Sequence, residues 1–466
     1  MKTSLISLMK RIPAPKTWFS LLIWLIAPGC TTDADQNHQQ IRRSSPPNIV
    51  CILVDDLGFG DLAVQGAPDM LTPNLDAFAE SGIVFNRFYA NCPVCSPSRA
   101  ALLTGQFPDR VGVPGVIRTD PDNNWGYLKE NTLTLPQRLK EAGYHTGLIG
   151  KWHLGLTSPN TPNERGFDHF HGFLGDMMDD YYTHLRGGIN FMRFNDSIID
   201  PDGHATELFT DWAIDYVHEQ GITDNPFFLY LAYNAPHFPI QPPQAHLEKV
   251  QVREPEMDLK RAKNVAFIEH LDAEIGRFFQ ELKQSGLTEN TLVIFTSDNG
   301  GALPYAQRNL PWRGGKQQMY EGGIRVPAFA VWPGHIQPGS QTDNMGLLMD
   351  LFPTFNEIAG LDSIHGIDGI SLLSTLEGST QTTDDRYLFW VRREGNRYGG
   401  QAYYAVQYKG YKLLQNSAYE PLAFFNLNED PYEETSLPNE GEIYQDLRRA
   451  LMAHIQRAGG VPWQVE

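Results

Sequence analysis

Charged and hydrogen-bonding residues stand directly after several short apolar runs. Asp55-Asp56 follow Asn48 to Val54, Lys151 and His153 follow Thr146 to Ile149, His237 follows Phe227 to Ala232, and Asp298-Asn299 follow Leu292 to Thr296. Taken singly, each is explained as a helix cap or a solvated loop charge, and capping of the next helix is the plain role for Asp55-Asp56. Their recurrence says more, because ligands of open α/β sheets bind beyond the carboxyl ends of the strands, where groups distant in sequence converge. Asp55, Asp56, Asp298 and Asn299 offer hard oxygen ligands with as many as three negative charges, which suits calcium or magnesium and suits zinc poorly. No His-rich zinc spacing competes.

A second group surrounds Cys95. The segment Cys95-Ser96-Pro97-Ser98-Arg99 leads into Ala100 to Gly105, so the cysteine sits near the start of a helix, where backbone N–H groups and the macrodipole favour negative charge. Cys92-Pro93-Val94-Cys95 is also a C-x-x-C motif, which in isolation points to thiol redox chemistry. That chemistry calls for a compact thioredoxin-like setting, whereas calcium-type ligands on a much larger sheet surround these cysteines.

The elements that must position these groups are legible as a series. The run Asn48 to Val54 is continuously apolar, as strands buried on both faces of a parallel sheet are, and Val326 to Trp332 adds another such run. Helical stretches between the runs indicate an α/β chain built on βαβ units. Arg261 to Ser285 is the clearest helix, closed by Gly286; Thr134 to Ala142 and Asn74 to Ser81 are shorter, with Gly143 and Gly82 in the C-cap position. From about residue 368 the texture changes to alternating Tyr-rich stretches (Tyr403 to Tyr408, Phe424 to Leu427) and a last helix, Ile443 to Arg457, which predicts a small C-terminal α+β subdomain over 368–466 after a main domain over 47–367.

The N-terminus has the form of an export signal over 1–30: Lys2, Lys10, Arg11 and Lys16 precede the apolar stretch Trp18 to Ala27, and a polar linker over 31–46 follows. Ala27-Pro28-Gly29-Cys30 is similar to a lipoprotein processing site with Cys30 as the lipidated residue, so the expected location is the periplasm or the outer-membrane-attached envelope of a bacterium. Four cysteines in 466 residues are too few for a disulfide scaffold, and stability must come from the core. A formal net charge of -18 argues against nucleic acid as a partner. An anionic substrate must then be recognised by a few cations concentrated in a pocket.

Cys95-Ser96-Pro97-Ser98-Arg99, continuing to Gly105, resembles the C-x-P-x-R modification motif of type I sulfatases. The resemblance runs through Pro47-Asn48-Ile49-Val50, Gly150-Lys151-Trp152-His153-Leu154-Gly155, Ala235-Pro236-His237-Phe238-Pro239, Thr296-Ser297-Asp298-Asn299-Gly300-Gly301 and Gly315-Lys316. It extends through Tyr320-Glu321-Gly322-Gly323-Ile324-Arg325-Val326-Pro327 to Asn426-Leu427, Asp430-Pro431 and Glu433. Several motifs in the family's order are far more specific than any one of them.

The resemblance implies an alkaline-phosphatase-like sandwich, with a large mixed, mostly parallel central sheet flanked by helices. It implies that Cys95 becomes formylglycine through a formylglycine-generating or anaerobic sulfatase-maturating enzyme, and that Asp55, Asp56, Asp298, Asn299 and the modified Cys95 hold one Ca2+ ion. Lys151, His153, His237 and Lys316 would bind sulfate and handle protons, and Arg99 would hold the aldehyde hydrate. A hydroxyl of the hydrate would attack sulfur, and the second would then expel sulfate from the sulfo-enzyme intermediate. His237 or Lys316 would protonate the leaving alcohol, while His153 would assist in deprotonating the hydrate.

The expected substrate is a sulfated polysaccharide or oligosaccharide. Gly175 to His184 has the carboxylates, aromatics and histidine of a sugar-binding rim, or forms a structural loop; Arg392, Arg393 and Arg397 either reach the site or form a solvated charge run. A phosphate or phosphonate ester hydrolase of the same superfamily is the nearest alternative, and the single-metal ligand set with an intact C-x-P-x-R favours sulfate. A non-catalytic sulfated-glycan binder would need Cys95 to remain unmodified or an expected ligand to be missing, and every expected position is filled.

Overall fold

The structure, a computed structural model, describes residues 46–379, 381, 383–395 and 401–462. The export signal, Cys30, nearly all of the polar linker and Arg397 lie outside the described residues.

Ten strands form the central sheet. Their order in space is Ser340–Thr342, Ile83–Phe85, Ala328–Val331, Thr291–Ser297, Asn48–Val54, Phe227–Ala232, His145–Lys151, His169–Phe173, Met192–Phe194, Ser197–Ile198. The five from Thr291–Ser297 to His169–Phe173 are mutually parallel, and antiparallel pairing begins on both sides of them. The sheet is therefore mixed and mostly parallel at its centre. Every residue of Asn48–Val54, Phe227–Ala232 and Thr291–Ser297 is buried, the result expected of continuous apolar runs covered on both faces.

The helices Pro73–Glu80, Ala205–Gly221, Gln244–Arg253 and Leu259–Gln284 pack together as one group, and Cys95–Thr104, Leu135–Glu141 and Leu351–Ile358 as another. Gly143 and Gly286 take the left-handed conformation that ends a helix, φ 83° and 70°. Gly82 does not. A Cβ there would lie 2.0 Å from the Ala330 carbonyl oxygen, so this glycine serves close approach to the strand Ala328–Val331.

The C-terminal part is a four-stranded antiparallel sheet, Leu388–Glu394, Gln401–Tyr408, Tyr411–Gln415 and Ala423–Asn426, with the helix Glu442–Ala458. Its apolar residues Trp390, Leu413, Phe424 and Leu447 share one core with Tyr89, Ala101, Phe107, Ile324 and Leu347 of the preceding chain. Leu372 and Leu376, which precede it, belong to the larger core beneath the central sheet. The described residues belong to one compact unit.

Candidate active site

The strand register accounts for the convergence. Val54 pairs with Ser297, so Asp55 and Asp298 leave adjacent strands at the same level; Ala232 pairs with Leu53 and Gly150, so Lys151 emerges beside them. Asp55, Asp56, Asp298 and Asn299 are all fully buried. The Asp55 carboxylate receives the Lys151 ammonium at 2.5 Å. Arg99 donates to Asp298 Oδ2 from Nε at 3.0 Å and Nη2 at 2.7 Å, and from Nη1 to the Lys151 carbonyl at 3.2 Å. Asp56 is held at φ 67°, a conformation a non-glycine residue adopts at a cost of about 1–3 kcal/mol. Its N–H donates to Asp298 Oδ1 at 3.2 Å, and its carboxylate accepts from Asn299 Nδ2 at 2.8 Å and from the Lys316 ammonium at 2.7 Å, with His237 Nε2 at 3.5 Å. Asp55-Asp56 therefore cap no helix; the short helical turn after them, Phe59–Asp61, begins at Gly58 without a side-chain cap.

Cys95 opens the helix Cys95–Thr104 and is buried at its N-terminus. Ser96 Oγ accepts the Ile117 N–H at 3.0 Å; Ser98 Oγ accepts the Cys92 N–H at 3.1 Å and donates to the Cys92 carbonyl at 2.9 Å, so the turn before the helix is fastened from both sides. Burial, and then the Asp55 carboxylate, hold the Cys95 thiol well above its ordinary pKa. A neutral thiol is a poor nucleophile. Cys51, Cys92 and Cys95 are all free, and Cys92 directs its sulfur to the Val391 carbonyl at 3.4 Å, so the C-x-x-C segment carries no disulfide.

Burial alone would raise Asp55, but Lys151, His237, Arg99 and Lys316 outweigh it and bring its carboxyl well below the ordinary range. Burial and then Asp55 push Asp298 up. His153 is held neutral by burial, then by Lys151 and Arg99; its Nε2–H donates to the Ile117 carbonyl at 2.7 Å, which leaves Nδ1 as a buried acceptor with no hydrogen-bond partner among the described residues. Burial, then Lys316, lower His237 to about 4; its Nδ1–H donates to the Phe238 carbonyl at 2.6 Å.

Ligand atoms of Asp55, Asp56, Cys95 and His237 lie within 4.8 Å of one another. Asp55 Oδ1 and Asn299 Oδ1 are buried and lack a hydrogen-bond partner among the described residues, an arrangement a cation would satisfy. The donors are chiefly carboxylate and amide oxygens, which fit calcium. Asp298 has both oxygens engaged by Arg99 and the Asp56 N–H. His237 stands closer to the ligand cluster than its expected role with sulfate suggests.

A cavity of about 270 Å³ opens onto this centre, lined by Cys95, His153, His237 and Lys316. Of the Gly175 to His184 segment, Asp176 and Met177 line it, whereas Tyr181 is buried and donates its hydroxyl to the Asn234 and His237 carbonyls, a structural role. Arg392 lines the cavity and Arg393 does not. Arg118, Arg186, Gln317 and the pair Phe238 and Tyr305, stacked at 4.4 Å, also line it and were not anticipated. Arg118, Phe238 and Gln317 lie on loops, Arg186 on the two-residue strand Leu185–Arg186 and Tyr305 on the short helical turn Leu303–Tyr305, all too short to show a period.

A buried carboxylate cluster at strand ends, answered by lysines, an arginine and neutral histidines around a helix N-terminus, defines a hydrolase of anionic esters. The chain belongs to the sulfatase family and is a sulfuric ester hydrolase: the family model described as Sulfatase matches residues 47–361. A model described as N-sulphoglucosamine sulphohydrolase, C-terminal, matches 313–459. The chain is 36% identical to N-acetylgalactosamine-6-sulfatase of Sus scrofa over 406 residues, 82% of this chain and 74% of that protein. It is 33% identical to arylsulfatase A of Homo sapiens over 443 residues, covering 84% and 83%. The solved structure of Ps i-CgsB in complex with k-i-k-neocarrahexaose superposes with a TM-score of 0.82 at 28% identity, covering 90% of this chain and 95% of that one.

Proposed function

We propose that this sulfatase removes sulfate from sulfated polysaccharide or oligosaccharide, with Cys95 converted to formylglycine and one Ca2+ ion at the buried carboxylates. The convergence of Cys95 with Asp55, Asp56 and His237, beside the Asp55 Oδ1 and Asn299 Oδ1 atoms that lack hydrogen-bond partners among the described residues, carries this conclusion. The names of the relatives and the oligosaccharide bound to Ps i-CgsB support a glycan substrate, with N-acetylgalactosamine 6-sulfate as the first residue to try.

Asp55, Asp56, Asn299 and residue 95 would hold the ion, with Asp298 at the edge of the set. Bound there, calcium would supply positive charge against the sulfate oxygens. Formylglycine would supply a hydrated aldehyde, one hydroxyl of which is the nucleophile toward sulfur. His153 Nδ1, the buried acceptor on the cavity wall, would accept a proton from the group at residue 95. Lys151 and Lys316 neutralise the sulfate, and Lys316, an ammonium lining the cavity, protonates the departing alcohol. Arg99 acts from beneath by fixing Asp298 and the Lys151 backbone. Cys95 is only 3% exposed in the fold, so the maturation enzyme would act before the chain closes around it. Export to the bacterial envelope remains part of the proposal and rests on the sequence of residues 1–30.

The test is ion chromatography of sulfate and phosphate released from a panel of sulfated glycans, aryl sulfates and phosphate esters by protein matured with a formylglycine-generating enzyme. Sulfate from a glycan is expected. Phosphate release without sulfate would establish the phosphohydrolase alternative, and sulfate from aryl esters alone would remove the glycan.

A further inference from the structure

We infer that Tyr305 is the platform for the sugar joined to the sulfated one, so that the site takes a glycan of at least two units. Its ligand is the apolar C–H face of a pyranose ring, laid on the face of the tyrosine that is turned away from Phe238. The inference rests on the glycan substrate proposed above and states how much of that glycan the site holds.

Three rings that line the cavity stand in a column. His237 stacks on Phe238 with centroids 4.4 Å apart and planes 24° from parallel, and Phe238 stacks on Tyr305 at 4.4 Å and 12°. Near-parallel rings at this spacing must take opposite faces of Phe238, so only its edge is left to the cavity. The column starts at the reacting centre, because His237 is clustered with Asp55, Asp56 and Cys95. His237 is buried, whereas Phe238 and Tyr305 are half-buried, so the column leads outward from the sulfate toward the mouth. Among the described residues no further ring stacks on Tyr305, and its hydroxyl has no hydrogen-bond partner. The sulfated unit lies at the His237 end, and two stacked steps farther out Tyr305 meets the unit joined to it.

The platform is in place before a sugar arrives. Gln307 is buried, donates from Nε2 to the Pro236 carbonyl at 3.1 Å and accepts the Ala302 N–H at Oε1 at 2.5 Å, which ties the turn bearing Phe238 to the turn bearing Tyr305. The Tyr305 N–H donates to the Ala302 carbonyl at 2.9 Å. The next residue, Ala306, is held at φ 62° with its carbonyl accepting from Arg261 Nη1 at 3.0 Å; a non-glycine residue keeps such a backbone only where its surroundings dictate it. A tyrosine has two χ angles and gives up little entropy when a ligand settles on it. Its electron-rich face attracts the weakly positive C–H groups that one face of a pyranose presents. Ala302 and Pro304 adjoin it on the cavity wall and add uncharged surface, so this wall suits the sugar as the lysines suit the sulfate.

The experiment measures kcat and KM of the full, matured, calcium-loaded enzyme on three probes: N-acetylgalactosamine 6-sulfate, and two disaccharides in which an uncharged hexose is joined to that unit on its reducing or its non-reducing side. The wild type should favour one disaccharide over the monosaccharide by about threefold to tenfold in kcat/KM, chiefly through a lower KM, the scale of one aromatic contact. The disaccharide preferred identifies the side on which the chain continues. Tyr305→Ala should bring the ratio of that disaccharide to the monosaccharide down to about one. Tyr305→Phe should keep the ratio, and Tyr305→Leu, which retains bulk without the aromatic face, should lose it, with thermal melts to show that each protein is folded. A wild type without preference, a Tyr305→Leu variant that keeps it, or a Tyr305→Ala loss equal on all three probes would overturn the platform and leave Tyr305 as a packing support for His237, while the sulfatase assignment stood. Release from none of the three would instead remove N-acetylgalactosamine 6-sulfate as the substrate, and the platform with it.

Discussion

Arg99 shows how closely chemistry and stability are bound together at the level of single residues. Its guanidinium is fully buried and meets Asp298, also fully buried, through two nitrogens. Removing one member of such a pair strands the other charge away from water, at a cost of about 3–5 kcal/mol. Arg99→Leu should therefore lower the free energy of unfolding by that amount in a urea titration, as well as abolishing activity; an unchanged midpoint would mean that the pair is not desolvated. The residues legible in the sequence share one feature. Asp55, Lys151, His237 and Asp298 each follow an apolar run, and a parallel sheet converts that position into proximity. Arg118, Arg186 and Tyr305 follow no such run, and only the tertiary fold brings them to the cavity. The left-handed backbone of Asp56 was equally invisible, because nothing about an Asp-Asp pair specifies φ 67°.

Among the elements, close backbone approach places the Lys316 loop against the strand ends. A Cβ on Gly300 would lie 1.9 Å from the Gly322 carbonyl oxygen, and the Gly300 N–H donates to the Gly323 carbonyl at 3.0 Å. Gly300→Ala should cost about 1–3 kcal/mol through overpacking and reduce sulfate release by moving Lys316 off Asp56. Full activity with a native melting curve would show that the loop tolerates the shift. His204 and His246 pack on either side of His270, the first edge-on and the second tilted, each with ring centroids 4.9 Å from it. Burial, then its two histidine neighbours, lower His270 to about 2, and burial lowers His204 to about 4 and lowers His246 as well. A histidine whose folded pKa lies below its unfolded value of about 6.5 contributes stability that is complete above that pH and is lost as pH falls toward the folded value. Unfolding free energy should accordingly fall between pH 6.5 and 5, with the buried His204 and His270 each contributing at most about 1.4 kcal/mol per pH unit. His270→Leu should make that slope shallower by one proton, as read from urea titrations at several pH values; an identical slope would exclude His270 from the linkage. The long runs and the helix Leu259–Gln284 could be read from the sequence. The outer strands Ser340–Thr342, Ile83–Phe85, Met192–Phe194 and Ser197–Ile198, at and next to the two edges of the sheet, are two or three residues long, too short to show a period.

Across the whole molecule, an acidic chain of net charge -18 gathers its cations where an anion must be held. Two cores make that possible: the central sheet sets the strand-end cluster, and the C-terminal sheet brings Arg392 to the same cavity. Between them Lys412 is buried against Glu321 at 2.9 Å and Glu433 at 2.8 Å, which fastens the turn after the Lys316 loop to the second sheet. The central claim is that a modified Cys95 and a calcium ion act together at this junction. The most direct test is the mass of the peptide spanning Cys92 to Arg99 from matured protein, measured alongside sulfate release before chelation, after it, and after calcium is restored. Conversion of Cys95, with release lost to the chelator and regained with calcium, is the result expected; full release from protein whose Cys95 remains a thiol, or none from fully converted, calcium-loaded protein, would contradict it.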